Sequence, residues 1–186
     1  MKYVHTKSLL CGVIALTFLF SNRAMAQATL DANAVKAQLI KEWQRSKAYT
    51  DAYLNTMPED KYGFKAVDSI RSFAQQMLHL ASGNFFLINK ATGDQSPIAG
   101  MVTEQRESAQ SKDSVMYYVN ASYDFAIDAI TKMDAAKLGE VIPGFNGDIS
   151  RLTWLMKAIE HQAHHRGQTT IYIRLQGIRP PNEQLF

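Results

Sequence analysis

The chain has 186 residues, of which 46% are apolar, and a formal net charge of +3. This length fits one domain with a well-buried core, and ordinary apolar content with a small net charge excludes an intrinsically disordered chain. The charge excess derives entirely from Lys2, Lys7 and Arg23 in the first 26 residues, which contain no acidic residue. Nucleic-acid binding is therefore not expected, since the rest of the chain is formally neutral.

Residues 1–26 have the three parts of a secretory signal peptide. A basic start precedes the apolar run 9–20 and the small-residue cleavage site Ala24-Met25-Ala26. The run is shorter than the roughly 20 residues that a membrane-spanning helix needs, so a retained anchor is the weaker alternative. We predict a cleaved signal at 1–26 and a mature domain at 27–186, located in the periplasm, or secreted where the host has no outer membrane. Cleavage removes the only cysteine, Cys11, and with it any disulfide, thiolate ligand or cysteine nucleophile.

Four segments of the mature chain have helical periodicity, and none has a convincing strand pattern. They cover about 33–57, 66–88, 112–133 and a final stretch that ends near 176. Asp31 or Asn33 is the candidate cap of the first helix, and Asp148 or Ser150 that of the fourth, which stops at Gly177. The simplest architecture is all-α, a four-helix bundle.

A polar stretch at about 91–110 connects the second and third helices. About 20 residues is long for a structureless connection in a compact domain, which leaves either a crossover along the bundle or an active-site flap. The segment 85–88 that precedes it (Phe-Phe-Leu-Ile) is apolar on every side. We expect other helices or a partner subunit to cover it, and a homodimer is the simpler reason for such a surface.

Three of the four histidines of the mature chain, His161, His164 and His165, lie in the fourth helix. Residues four apart share a helix face, so His161 and His165 can bind one cation, whereas His164 points about 100° away. The pair lies on the core-facing stripe, where an imidazole needs a partner to offset its desolvation. The spacing alone leaves open a hydrogen-bonded or a solvated pair.

A mononuclear site would need a third ligand from another helix, and the only histidine left is His79 on the second helix. By itself this residue is typical of a surface histidine, although its mid-helix position suits a ligand. Other metal sites do not fit: Gln162 replaces the glutamate of a His-Glu-x-x-His motif, and the paired Glu-x-x-His motifs of di-iron bundles are missing.

These features together resemble the DinB-like superfamily of metal-binding four-helix bundles. The resemblance rests on His79, on the His161/His165 pair, on the segment His-His-Arg-Gly-Gln at 164–168 and on the segment Tyr-Ile-Arg-Leu-Gln-Gly at 172–177, and it covers about 35–181. It implies one divalent metal, zinc or nickel, held by the three histidines, and frequent homodimers. The unrelated DNA polymerase of the same name has no bearing on function.

Three neutral histidines leave a coordination position open, the pattern of catalytic rather than structural zinc. Such a metal lowers the pKa of bound water towards about 7 and polarises carbonyls, or it binds a thiolate, as in thiol transferases of the family. We therefore expect a metal-dependent hydrolase or a thiol transferase-like enzyme acting on an unknown small molecule. The alternatives are a non-catalytic module that binds metal or a small ligand, and a helical protein without metal that binds a membrane surface or a partner.

Supporting side chains are predicted from their positions one turn from the histidines or beside them. They are Gln75 (with its neighbour Gln76), His164, Gln168 and Tyr172. Metal-bound imidazoles donate their second N–H to an acceptor, and helical spacing does not identify that acceptor. No residue stands out as a general acid or base.

Overall fold

The computed structural model describes residues 31–102 and 104–186, so the predicted signal segment lies outside the described residues. Four helices dominate: α1 (Ala32–Thr56), α2 (Phe73–Thr92), α3 (Lys112–Lys132) and α4 (Arg151–Leu175). Two-residue strands β1 (Val141–Ile142) and β2 (Ile149–Ser150) pair antiparallel between α3 and α4. In the described part of the chain, every helix is too short or too polar to cross a membrane.

The bounds of three helices agree with prediction to within one or two residues. Asp31 caps α1 by accepting from the amide of Asn33, and Ser150 caps α4 by accepting from the amide of Thr153. Beyond α4, Gly177 has a φ of +74°. This left-handed conformation suits glycine and ends the helix.

The predicted bounds of the second helix, 66–88, were wrong at both ends. The helix begins at Phe73, because Ser72 and Gln75 form a capping box in which each side chain accepts from the other residue's amide. It continues to Thr92 and ends at Gly93, whose φ is +85°.

Contacts at the helix ends show that α1 and α3 are antiparallel. Near the start of α1, the Lys36 amine donates to the carbonyls of Thr131 and Met133 at the end of α3. At the opposite end of the bundle, the Lys112 amine at the start of α3 donates to the carbonyl of Met57, just after α1.

Helices α2 and α4 are also antiparallel. The Arg151 guanidinium, at the start of α4, donates to the carbonyl of Ala91 near the end of α2. The Tyr172 hydroxyl, near the end of α4, donates to the carbonyl of Arg71 just before α2.

The connection after α2 is a crossover. Tyr62 ties the start of α2 to the end of α1, since its hydroxyl donates to the carbonyl of Leu54 and its carbonyl accepts from the amide of Ala74. Helices α2 and α3 therefore begin at the same end of the bundle and run in the same direction. Residues 93–111 span the length of α2, about 30 Å at 1.5 Å per residue, which confirms the crossover as the reason for the long connection.

The core fills the space between the four helices, with Trp43, Tyr123 and Leu155 among its largest buried side chains. The apolar end of α2 is covered for the most part: Phe85 and Ile88 are buried. Phe86 is 44% exposed and stacks on Phe145 in the loop between β1 and β2.

Candidate metal centre

The antiparallel packing of α2 against α4 brings three histidines together. His79 lies in the first half of α2, and His161 and His165 lie one turn apart on α4. One ligand atom from each lies within 4.8 Å of the other two. Their ring centroids are 5.3 Å (79–161), 4.5 Å (79–165) and 4.4 Å (161–165) apart. Imidazoles from two helices thus converge closely enough for one cation to bind all three.

The three imidazoles are neutral at pH 7. Burial, assisted by the neighbouring imidazoles, lowers the pKa of His161 to about 4 and that of His165 to about 3. Burial and the nearby Arg71 guanidinium lower the pKa of His79 as well. A cation therefore meets free lone pairs and need not displace protons.

The backbone of α2 supports the His161 ring at Gly83, one turn after His79. A Cβ atom at Gly83 would lie 2.0 Å from Cε1 of His161, 2.5 Å from its Nδ1 and 2.7 Å from its Nε2. The ring thus occupies the space that any other side chain would need. Within the described part of the chain, Nδ1 of His161 is buried and has no hydrogen-bond partner.

His165 is held by a short chain of polar side chains. The Gln76 amide lies 2.7 Å from Nδ1 of His165 and donates to the side-chain oxygen of Gln168, whose amide nitrogen lies 2.8 Å from Nε2 of His164. This leaves Nε2 of His165 for a ligand. A coordinating His165 would carry its proton on Nδ1 and donate it to the oxygen of Gln76, which 180° rotations of the Gln76 and Gln168 amides together supply.

Glu104 orients His79 from the crossover. Its carboxylate lies 3.4 Å from Nδ1 of His79 and accepts hydrogen bonds from Nε and Nη2 of Arg71. A histidine that donates through Nδ1 to a carboxylate offers Nε2 to a metal. The carboxylate would also increase the basicity of that ring.

Three features of the site fit a divalent cation. The donor set is three neutral imidazoles. In two of them, His79 and His165, Nδ1 would face away from the metal and has a side-chain partner. In the third imidazole, Nδ1 of His161 is a buried polar atom without a hydrogen-bond partner. Such an atom costs about 1–3 kcal/mol when nothing binds it.

The predicted supporting residues divide into two groups. Gln168 and His164 belong to the polar chain beside His165. The other two have different contacts: Gln75 closes the capping box of α2, and Tyr172 ties α4 to the backbone of Arg71. Of the two neighbouring glutamines, Gln76 is the one that contacts a histidine.

Two residues of the site were not predicted, and only one had a signal in the sequence. Gly83 is a glycine inside a helix, four residues after a candidate ligand, and an interior glycine costs about 1 kcal/mol against alanine unless packing requires it. Glu104 lies in the crossover, where no periodicity indicates the direction of a side chain.

Two recesses lie near the histidine cluster, and His79 itself lines the smaller one. A polar recess of 730 Å³ lies on the side of Arg71, Gln76 and Gln168. A smaller one of 200 Å³ lies between His79 and Glu104. A small molecule therefore has room to reach the cluster.

Comparison with known proteins agrees with this architecture. The family model of the DinB superfamily matches residues 42–169, a span that includes all three histidines. The fold is similar to the crystal structure of a DinB-like protein from Bacillus cereus ATCC 10987, with 17% identity and a TM-score of 0.64 over 78% of this chain and 95% of that one. It is similar to that of the DinB-like protein YjoA from Bacillus subtilis, with 17% identity and a TM-score of 0.60 over 80% of this chain and 96% of that one.

Among curated protein sequences, none matches this chain. The two structures share the fold at low identity, and the family model covers more than two thirds of the sequence. The chain belongs to the DinB superfamily.

Proposed function

We propose that the protein binds one divalent metal ion through His79, His161 and His165 and uses it in a hydrolytic or group-transfer reaction on a small molecule. The observation that carries this proposal is the convergence of three neutral imidazoles from two helices, with ligand atoms within 4.8 Å of one another. Zinc and nickel are the metals that the family resemblance implies, and both accept imidazole ligands readily.

Each ligand has its own support. Glu104 would fix the coordinating tautomer of His79, and Gln76 would fix that of His165 once its amide is rotated. The α2 backbone at Gly83 lies directly against the ring of His161. A bound divalent cation would supply Lewis acidity towards a substrate oxygen or sulfur. Three protein ligands leave room for that atom, and the adjoining recesses give access to it.

Export and self-association complete the proposal. The signal-like segment 1–26 supports delivery to the periplasm or to the medium, and the exposed apolar side chain of Phe86 supports a homodimer. A transferase that depends on a cytoplasmic thiol is the less suitable version of the activity for an exported protein.

Metal analysis of the purified protein and its histidine variants tests the ligand set. After removal of metal and reloading with zinc or nickel, the wild type should hold about one equivalent, and His79→Ala, His161→Ala and His165→Ala should each hold far less. His164→Ala is the matched control, because this histidine lies beside the cluster but is not one of the three converging ligands. A wild type without metal, or an equal loss in His164→Ala, would contradict the proposal.

Cobalt substitution separates an enzyme from a metal-stabilised binding module. A site with an exchangeable position changes its absorption spectrum when thiols or carboxylates are added. A saturated structural site does not respond, and that result would favour the non-catalytic alternative.

A further inference from the structure

A third recess, of 590 Å³, lies between the beginning of α4, the loop joining β1 to β2 and one residue of α2. We call it the aromatic pocket. Its lining residues are Leu87, Phe145, Asn146, Gly147, Ile149, Thr153, Trp154, Lys157, Glu160, His161 and His164. The volume is in the range of sites that hold small molecules.

The aromatic pocket ends at the metal centre. His161 belongs both to its lining and to the histidine cluster. Between Trp154 and His161 the pocket follows two turns of α4, a rise of about 10 Å. This length suits a phenyl ring joined by two or three methylenes to a donor atom at the metal.

The far end of the pocket is built from aromatic rings. Phe145 meets Trp154 edge to face, with centroids 5.3 Å apart, and lies nearly parallel to Phe86 at 6.0 Å. Phe145 is nevertheless 76% exposed. Two neighbouring rings therefore hold this side chain in position while much of its surface remains free to cover a ligand, and aromatic pairs of this kind add to the effect of apolar burial.

The rim of the pocket is polar but carries no net charge. The amine of Lys157 lies 2.6 Å from the carboxylate of Glu160, and both side chains are mostly exposed. Each therefore neutralises the other, and a charged tail would find no unpaired partner here.

We propose that the aromatic pocket holds the uncharged aromatic tail of a small molecule whose donor end lies at His161. The position of the donor end depends on the proposed function. The position of the aromatic tail depends only on the shape and lining of the pocket. The site would thus select substrates whose phenyl-sized group and linker together extend about 10 Å from the reacting atom.

The first experiment uses metal-free protein with 3-phenyl-1-propanol as the probe and the indole N–H signals of the two tryptophans as the readout. The Trp154 signal should shift and saturate at about millimolar probe, as expected for a ligand of this size. The Trp43 signal should not follow, because that residue packs against Tyr123 and does not line the pocket. 1-Propanol at equal concentration should have little effect.

Two variants test the wall of the pocket. Phe145→Ala should weaken the binding of 3-phenyl-1-propanol about tenfold, the value expected from the loss of about 50 Å² of apolar contact. Tyr117→Ala is the matched control, since this ring is 59% exposed on α3 and does not line the pocket. Both side chains are largely exposed, so neither truncation should disturb folding.

The second experiment uses cobalt-loaded protein and compares 3-phenylpropane-1-thiol with 1-propanethiol by absorption. The phenyl thiol should bind at least tenfold more tightly, and Phe145→Ala should remove most of that ratio. Failure of Trp154 to respond, equal responses of both tryptophans, or a thiol ratio near one would overturn the proposal. A protein that takes up no cobalt would refute the proposed function instead. The titration of metal-free protein with 3-phenyl-1-propanol would then decide alone whether the pocket binds an aromatic tail.

Discussion

Substitution of Gly83 by alanine should impair metal binding while leaving the bundle folded. The added Cβ would lie 2.0 Å from Cε1 of His161, whereas ordinary contacts of this kind begin near 3.4 Å. The imidazole must therefore move by more than an ångström. Metal–nitrogen distances tolerate only about 0.2 Å, so we expect His161 to leave the ligand set. The affinity for zinc should fall at least ten- to hundredfold, the range seen when ligand orientation is lost.

The backbone effect of this substitution has the opposite sign. Alanine in a helix interior is more favourable than glycine by up to about 1 kcal/mol, which offsets part of the cost of displacing the ring in metal-free protein. Gly167→Ala is the matched control, because Gly167 lies inside α4 and a Cβ there has no atom within 4 Å. This variant should gain stability and bind zinc as the wild type does.

Competition against a chromophoric chelator measures the zinc affinity, and thermal unfolding in chelator measures the stability of the metal-free protein. Gly83→Ala should approach the affinity of His161→Ala, and the double variant should bind no more weakly than His161→Ala alone, because both changes remove the same interaction. Wild-type affinity in Gly83→Ala would refute the idea that α2 limits the ring to its binding position.

Two further predictions concern the charges around the cluster. Glu104→Gln should reduce zinc affinity about ten- to hundredfold through loss of the carboxylate on His79, whereas Glu107→Gln, an exposed change on the same connection, should have no effect in the same competition assay. The free energy of unfolding of metal-free protein should fall as the pH drops from about 6.5 to 4, because the pKa values of His161 (about 4) and His165 (about 3) are depressed, and the unfolded chain binds more protons in that window. Urea unfolding should show a slope of at most about 1.4 kcal/mol per pH unit for each histidine, and His161→Gln should reduce it; an unchanged slope would show that the ring is not held neutral.

Local signals in the sequence were sufficient for most of the helix bounds. Asp31 and Ser150 combine a capping side chain with the onset of apolar periodicity, and both begin helices. The error at α2 arose because periodicity through Ile70 outweighed the capping box of Ser72 and Gln75, although that box was legible. Hydrogen bonds to orphaned amides define a helix start more sharply than spacing does.

The site was predictable only in part, for a physical reason. Helical spacing determines which side chains share a face, and this sufficed to pair His161 with His165. It does not determine which helices are neighbours, so the prediction that His79 joins this pair depended on the family resemblance. The position of Glu104 beside His79 depends on the path of the crossover, and only tertiary packing determines that path.

Two unfavourable choices of this sequence meet at the metal centre, and their meeting there is itself an argument for a ligand. At Gly93, by contrast, glycine follows the local rule, because it stands in the left-handed position that a helix end requires. At the cluster, Gly83 stands in the interior of α2, where glycine costs about 1 kcal/mol of stability against alanine. His161 buries a nitrogen without a hydrogen-bond partner, which costs about 1–3 kcal/mol. Natural sequences depart from local rules mainly at functional sites. A cation bound by the three imidazoles would account for each departure at once: it requires the ring of His161 where it lies, and that ring requires the glycine.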